Sequence, residues 1–534
     1  MGSYEQNEDG SYSYTTNRVG NEVSTDLNST NETAGDRRIY LEAMVDYNRT
    51  FGRHDVNAML LYNQDELVNN VPGNNLINSL PKRKQGLAGR LSYAYDGKYM
   101  AEVNMGYNGS ENFAKGHRWG FFPSIALGYN ISEESFFEPL RKVITSMKLR
   151  GSWGLVGNDQ IGGERFIYMP TINLSGKGFT TGIDQNYGLS GPVYTRYENN
   201  SITWEVGEKI NLGIDLQLLN SLNIVVDIFR ETRRDIFQKK GTIPTYLGTG
   251  NTDVFGNLAE MKNQGLDLSI DYNKAFSKDF YMNFKGTFTY AHNEITKYDE
   301  APKYAFQSKV GQSANVSQGY LSNGLFLDEA EIDRYNQQMG STLGAGDIKY
   351  LNVSNMHGYG DDIVDVDDWT WIGNPTVPEI VYGFGPSFKY KNWDFSFFFQ
   401  GVAKTSLFMS GFHPFGDNSL RNVLQFVAND RWSPTNQNVD AKYPRLTRKT
   451  SLNNTNPGNS GRTSDYWMRD GSFLKLKNME LGYTFKRMRF YISGSNLLTF
   501  SKFDLWDPEQ GGGSGLKYPT QRVFNVGFQM TFNN

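Results

Sequence analysis

The densest group of side chains with metal-binding chemistry is an acidic run in the second half of the chain. It contains five aspartates, Asp361, Asp362, Asp365, Asp367 and Asp368. Carboxylate oxygens at close spacing suit Ca²⁺ or Mg²⁺, so we predict a cation site within residues 358–368. The alternative is a solvated acidic loop that leads into the next strand.

Aromatic residues in polar segments form a second group of candidates. Flat rings stack on sugar rings or receive peptide side chains, and nearby Asn and Asp supply hydrogen bonds. The rings for which we predict ligand contacts are Tyr246, Tyr320, Trp369, Trp371 and Phe412. The alternative for each ring is packing inside a folded loop, and packing is the role that we assign to Trp432.

Motifs of common enzymes are missing from the sequence. It has no G-x-S-x-G, no P-loop, no G-x-G-x-x-G and no H-E-x-x-H. Cysteine is absent, which excludes disulfides, cysteine nucleophiles and cysteine zinc sites. The five histidines lack metal-ligand spacing. We therefore predict that the protein is not an enzyme and carries no cofactor beyond the predicted cation.

The elements that must position these residues are β-strands. The 534 residues include 56 Gly and 14% aromatics, a composition typical of strands and turns. Residues Phe280–Tyr290 alternate apolar and polar side chains, as do Ile210–Leu218, Tyr99–Tyr107 and Phe524–Phe532. No apolar run reaches the roughly 18 residues that a transmembrane helix needs. A net charge of -4 gives no basic surface for nucleic acid.

The strands are predicted to occur in pairs with short joins. Tight turns are expected at Phe51–His54, Asp96-Gly97, Asn220-Ser221, Ser277-Lys278, Lys391-Asn392 and Lys486-Arg487. A seventh pair is joined by residues 131–145, with a short helix. With the final strand this makes about 15 strands, and the connections between pairs are long and polar. Short turns that alternate with long loops are typical of outer-membrane β-barrels. Soluble β-sandwiches or a propeller are the runner-up.

Two smaller features refine the strand prediction. Leu474 and Leu476 share a face, whereas Met479 and Leu481 continue one residue out of phase, so a β-bulge is expected near Lys477-Asn478. Aromatic residues near strand ends are expected to form girdles at the lipid interfaces. These are Tyr47, Tyr62, Tyr95, Tyr107, Tyr129, Tyr272, Tyr290, Tyr390 and Phe500.

Several segments, in this order and spacing, resemble the SusC/RagA family of TonB-linked outer-membrane transporters of Bacteroidota. They include Trp119–Ser124, Leu149–Gly154, Met261–Gly265, Arg431–Pro434, Ser464–Trp467, Gly471–Asn478 and Asp507–Glu509. The family's barrel has about 22 strands preceded by a plug domain. The resemblance implies that residues 1–36 are an extracellular loop and that 37–534 are the C-terminal part of the barrel. The plug and the first strands would be absent from this sequence.

The same resemblance implies a location and a function. We expect a bacterial outer-membrane protein that imports nutrient oligomers, with an oligosaccharide as first choice of ligand and an oligopeptide as second. Its partners would be a SusD-like surface lipoprotein, the TonB complex acting through the plug, and outer-membrane lipid. The alternatives are a soluble secreted β-protein that binds or processes glycans, and a receptor that binds without transport.

Overall fold

A computed structural model gives the fold of most of the chain. It describes residues 2–7, 9–16, 35–70, 76–162, 165–244, 246, 252–338, 343–360, 362–410, 423–446 and 463–532. Within these residues no helix has the length and apolar character needed to cross a membrane. The chain divides into two compact units, Met1–Tyr40 with Asp65–Arg83, and Leu41–Gln64 with Lys84–Asn534.

Fifteen strands form one antiparallel sheet, and each pairs with the strands next to it in the following order. The strands are β3 (Asp36–Phe51), β4 (His54–Asn69), β5 (Lys82–Tyr95), β6 (Tyr99–Ser110), β7 (Trp119–Asn130), β8 (Ile144–Asn158), β11 (Glu205–Leu218), β12 (Leu222–Lys239), β13 (Phe255–Ala275), β14 (Phe280–Lys297), β19 (Ile380–Tyr390), β20 (Trp393–Ala403), β23 (Phe473–Phe485), β24 (Met488–Ser501) and β25 (Val523–Met530). The predicted number of strands is confirmed.

The remaining elements lie in the connections. The short strands are β1 (Gly2–Gln6), β2 (Tyr12–Thr16), β9 (Thr171–Thr181), β10 (Tyr187–Arg196), β15 (Ser317–Gly319), β16 (Ser322–Leu325), β17 (Ile348–Tyr350), β18 (Thr370–Ile372), β21 (Ser406–Phe408) and β22 (Met468–Asp470). The α-helices are α1 (Leu76–Ser79), α2 (Glu329–Arg334), α3 (Val353–Met356) and α4 (Gln425–Asn429). Segments of 3₁₀-helix cover Ile131–Glu133, Ser135–Lys142, Ala305–Gln307, Val366–Asp368, Asp465–Trp467 and Pro508–Gln510.

Two segments predicted as loops contain hairpins. In residues 1–36 β1 pairs with β2, and in residues 158–205 β9 pairs with β10. Both segments are rich in Thr, Tyr and Ser, and Thr and Tyr favour extended backbone even where no apolar stripe marks a strand. The longest strand of the large sheet, β13, has 21 residues.

The tight turns follow the predicted positions with one shift. Asp96 and Gly97 have φ values of 54° and 66°, which confirms a type I′ turn. The turn expected at Asn220-Ser221 is instead centred one residue earlier, with positive φ at Leu219 and Asn220. Its position follows from the pairing of Leu218 with Leu222, which keeps the apolar residues of β11 and β12 on one face.

The predicted β-bulge is confirmed. Phe398 and Phe399 on β20 face Asn478 and Leu476, so Lys477 has no register partner on that strand. The pairing of β23 with β24 shifts at the same place. The extra residue returns the apolar side chains on both sides of the bulge to one face.

One face of the sheet is apolar and uncovered. Leu212 is paired with Ile228, and their exposed fractions are 62% and 60%. Leu127, on β7, is 58% exposed. A soluble sandwich would bury such a face in a dry core, so these exposures contradict the soluble alternative. They fit a sheet whose outer face meets lipid.

Compact apolar clusters lie in the long connections rather than on the sheet. The larger cluster joins the β14–β19, β20–β23 and β24–β25 connections, and its buried members include Tyr350, Met409 and Trp467. A smaller cluster around Phe113 and Trp204 joins the β6–β7 and β8–β11 connections, and Phe237 of β12 packs against it. The long connections therefore fold on one another through their own cores.

We predict that Gly97→Ala destabilises the sheet, because an L-residue with a Cβ resists the positive φ of this turn. The expected cost is about 1–2 kcal/mol in unfolding free energy, measured by denaturant unfolding in detergent. Gly188→Ala is the matched control, since a Cβ meets nothing within 4 Å at either glycine and only Gly97 has a positive φ. Equal stability of the two variants would contradict the prediction.

Candidate functional site

The polar face of the sheet carries charges that are paired across strands. Arg150 on β8 donates to both carboxylate oxygens of Asp227 on β12 at 2.6 Å and to Asp215 on β11 at 3.1 Å. Gly213 lies between Arg150 and Asp227 in the register, and a Cβ there would stand 2.5 Å from the guanidinium carbon. The glycine therefore gives the arginine room to span a whole strand.

A second pairing of the same kind lies near the end of the sheet. Arg489 on β24 bonds to Asp394 on β20 and, at 2.5 Å, to Glu480 on β23. The intervening residue is again a glycine, Gly482, where a Cβ would meet both charged groups. The polar face is thus hydrophilic but internally compensated, which suits a wall that polar solutes pass.

A buried lysine ties the β24–β25 connection to this polar face. Lys475 on β23 is fully buried, and its ammonium donates to Asp507 at 2.6 Å and Glu509 at 2.8 Å. The neighbouring Lys477 also donates to Glu509, at 2.6 and 2.8 Å. A buried charge is tolerated only when it is paired in this way, so Asp507–Glu509 holds the loop against the strand.

A cavity of about 460 Å³ lies beside this ion cluster. Its walls come from the polar face of β20 and β23 and from loops on both sides of them, including Gln400, Thr405, Phe408, Phe473, Pro508 and Glu509. The volume falls in the range of small-molecule sites. The lining mixes aromatic rings with hydrogen-bonding groups, which could accommodate part of a polar ligand.

In the predicted cation loop, Asp368 serves the backbone. It is fully buried, and its two carboxylate oxygens accept the amides of Ser354 and Asp365 at 2.9 Å. Asp365 in turn accepts the amide of Asp367 at 2.8 Å and caps the 3₁₀ segment Val366–Asp368. These carboxylates therefore stabilise a tight turn.

The other aspartates of the run lie in different surroundings. Asp367 is paired with Lys303, and Asp362 is exposed. Asp361 lies outside the described residues. Within the part of the chain that the structure describes, no group of three or more His, Cys, Asp or Glu residues is placed to hold a metal ion. The structure does not bring the described aspartates together as a ligand set, and cation binding stays a prediction.

Three of the aromatic candidates have contacts inside the loops. The ring of Tyr320 is 2% exposed and packs against Tyr350 and Trp369, with centroid distances of 5.2 and 5.1 Å. The indole N–H of Trp371 donates to the carbonyl of Ser308 at 2.8 Å. Tyr320 is thus enclosed by protein, which is the packing role given above as the alternative to ligand contact. Trp369 and Trp371 are half-buried.

The remaining candidates differ in exposure. Tyr246 is 85% exposed and presents its ring to solvent, whereas Phe412 lies outside the described residues. Ligand contact by either stays a prediction. Trp432 is 5% exposed in the larger loop cluster, which confirms its packing role.

The structure also assembles an aromatic cluster that sequence analysis missed. Tyr304 stacks on Phe306 at 5.4 Å, and Phe306 stacks on His357 at 4.7 Å. Tyr359 lies 4.4 Å from Tyr304, and its side chain is 48% exposed. We call Tyr304, Phe306, His357 and Tyr359 the surface aromatic cluster. Its rings provide an exposed apolar platform in the β14–β19 connection.

Charged groups border the surface aromatic cluster. The ammonium of Lys303 lies 5.1 Å from the ring centre of Tyr304 and pairs with Asp367. The pKa of Lys303 is raised, chiefly by its side-chain hydrogen bond to Asp367 and also by the negative charge of that carboxylate. The only signal in the sequence is two aromatic pairs at spacing two, Tyr304 with Phe306 and His357 with Tyr359. Nothing in the sequence indicates that the pairs meet.

A family model described as TonB dependent receptor-like, beta-barrel matches residues 2–497. TonB-dependent receptor P3 of Formosa agariphila is 26% identical over 481 residues, which are 83% of this chain and 45% of that protein. TonB-dependent receptor SusC of Bacteroides thetaiotaomicron is 28% identical over 471 residues, 83% of this chain and 43% of that protein. The chain spans about half the length of the curated relatives it matches.

A solved structure gives the same fold. The structure of the RagAB peptide transporter superposes with a TM-score of 0.68 and 20% sequence identity. The match covers 93% of this chain and 56% of that one. The large sheet with its long loops is therefore also found in a known peptide transporter.

We predict that Lys475→Met destabilises the protein strongly. Its loss leaves Asp507 and Glu509 partly buried without the central cation, at a cost of about 3 kcal/mol in unfolding free energy. The matched control is Lys502→Met, because Lys502 is 86% exposed and its contact with Asp470 is 3.6 Å, so its cost should stay below about 1 kcal/mol. Urea unfolding in detergent would measure both, and equal losses would refute the structural role.

We predict that acid reduces the difference in unfolding free energy between the unsubstituted protein and Lys475→Met. Burial opposes ionisation of Asp507 and Glu509, but the hydrogen bonds and positive charges around them, led by the hydrogen bonds from Lys475, together outweigh it and hold both pKa values below their ordinary values. Carboxylates with lowered pKa values stabilise the fold above the unfolded-state pKa and lose that contribution as the pH falls through the folded-state value. The stability gap between the unsubstituted protein and Lys475→Met should stay constant near neutrality and shrink below about pH 4. A pH-independent gap would contradict the ion-pair explanation.

Proposed function

The chain belongs to the family of TonB dependent receptor-like β-barrels, and we propose that it is the barrel portion of an importer of nutrient oligomers. Proteins of this family reside in the outer membrane of bacteria. The observation that carries the proposal is the two-faced sheet. Its apolar face is exposed at Leu212 and Ile228, while its polar face is lined by compensated charges such as Arg150 with Asp227.

The proposal includes strands and a plug beyond this sequence. The edge strands β3 and β25 each pair with only one neighbour in the described sheet, and unpaired backbone groups in lipid cost several kcal/mol each. The relatives are about twice as long as the matched region. We infer that further strands close the sheet, that residues 1–36 belong to an extracellular loop, and that TonB acts through a separate plug domain.

We place an oligosaccharide first among the ligands and an oligopeptide second. The surface aromatic cluster supports a sugar, because apolar ring faces stack on pyranose rings while Lys303 and Asp367 can bond to hydroxyl groups. The second choice follows the RagAB peptide transporter, whose fold this chain shares. No catalytic role is proposed. From the resemblance to the SusC/RagA family, we infer a SusD-like surface lipoprotein as the partner at the loop end.

The full-length protein, expressed with its lipoprotein partner in a strain that lacks both genes, should restore growth on an oligosaccharide mixture as sole carbon source. The restored growth should require TonB, because in this proposal TonB supplies the energy for import through the plug. Growth on oligopeptides instead would replace the first choice of ligand by the second. Ligand binding to cells without any uptake would overturn the importer and favour the receptor.

The surface aromatic cluster can be tested in the same protein. Tyr359→Ala should weaken oligosaccharide binding by about fivefold, since loss of one stacked ring removes on the order of 1 kcal/mol. Tyr518→Ala is the matched control, because Tyr518 is a 79% exposed tyrosine on another long loop. Isothermal titration calorimetry would measure both. Equal effects of the two variants would show that the cluster is not the contact surface.

A further inference from the structure

A groove crosses the apolar face of the sheet near its short-turn end. The register aligns Tyr93, Ala101, Leu127, Gly151 and Leu212 in one row across β5, β6, β7, β8 and β11. Large and small side chains alternate along this row, so the surface is low at Ala101 and Gly151. The neighbouring large residues stand well exposed, 58% at Leu127 and 62% at Leu212.

Tyrosines form the rim of this groove. The next row toward the turns places Tyr99 beside Tyr129, and their rings stack at 5.2 Å with an interplanar angle of 7°. The cavity measures about 530 Å³, and nearly all of its lining is apolar. Its size and shape suit a hydrocarbon chain, and its rim lies where aromatic girdles meet the lipid headgroups.

The connection between β7 and β8 lies at the same end. Its 3₁₀ segment Ser135–Lys142 buries Phe137 but leaves Phe136 and Leu140 exposed by 67% and 51%. Glu134, just before it, accepts hydrogen bonds from the hydroxyls of Tyr99 at 2.6 Å and Tyr129 at 3.4 Å. The segment is thus fastened to the rim of the groove while it presents apolar side chains.

Basic residues end this segment. The guanidinium of Arg141 donates to the carbonyl of Ser132 at 2.7 Å and lies 3.9 Å from Glu133. Lys142 is exposed and has no ion-pair partner among the described residues. A short segment with exposed apolar side chains and an unpaired lysine has the composition of helices that lie in the membrane interface.

We propose that the groove and the Ser135–Lys142 segment together bind one phospholipid of the periplasmic leaflet. An acyl chain lies over Ala101 and Gly151, and the phosphate pairs with Lys142. The groove is continuous with the lipid-facing surface of the sheet, so its occupant comes from the bilayer. Its position at the short-turn end places it in the periplasmic leaflet, which selects a phospholipid over the lipids of the opposite leaflet.

The test uses the full-length protein in liposomes that contain phosphatidylglycerol with a photoreactive acyl chain. After illumination, cross-links should concentrate on β6, β7 and β8. Gly151→Leu fills the groove and should lower cross-linking there by about fivefold, because the added side chain occupies the space over Gly151 and removes the van der Waals contacts of the acyl chain there. Lys142→Glu leaves the groove intact and should lower cross-linking by phosphatidylglycerol, because the new carboxylate repels the phosphate.

Gly286→Leu is the matched control. Gly286 also lies on the apolar face, between Ile270 and Phe384, and a Cβ at either glycine meets its nearest side chain at 3.2 Å. This variant should leave cross-linking at β6–β8 unchanged, and heat-modifiable migration on gels would verify that all variants are folded. Cross-links spread evenly over the lipid-facing strands, with Gly151→Leu equal to Gly286→Leu, would overturn the proposal and indicate bulk lipid only.

Discussion

The pairing of backbone amides and carbonyls in lipid is the constraint on which the rest of this structure depends. No water is present in the hydrocarbon layer, so each strand must find its partners in its neighbours. Fifteen strands pair in sequence order, through short turns that alternate with long connections, and within the described sheet β3 and β25 each have one unpaired edge. A short turn between two paired strands allows few backbone conformations. This explains why Asp96 and Gly97 adopt positive φ values, which most residues avoid.

Strand pairing also decides where charge can lie. Because side chains alternate between the faces, a charged residue on the apolar face would meet hydrocarbon within the lipid layer. The ion pairs between neighbouring strands, such as Arg150 with Asp227, lie on the other face. There the charges compensate one another across strands, and glycines such as Gly213 provide the space for an arginine to reach past a strand. The wall is therefore polar without being strongly attractive to one sign of solute.

The same alternation explains how much could be predicted from the sequence. The strands, the Asp96-Gly97 turn and the bulge at Lys477 follow from periodicity and turn chemistry, which act over a few residues. The turn at Leu219 was misplaced by one residue because only the pairing of Leu218 with Leu222 fixes it. The surface aromatic cluster joins segments about 50 residues apart through tertiary contacts, and no local rule could assemble it.

The long loops are stabilised by different forces from those that stabilise the sheet. In lipid, burial of apolar side chains gains nothing from the hydrophobic effect, whereas the loops extend into water and can use it. The buried apolar clusters accordingly lie in the loops, around Tyr350 and Trp467 and around Phe113. A loop with its own core can hold a ligand surface rigidly, and the Lys475 ion cluster fixes one such loop to the wall. Recognition can therefore vary in the loops while the sheet below keeps its pairing.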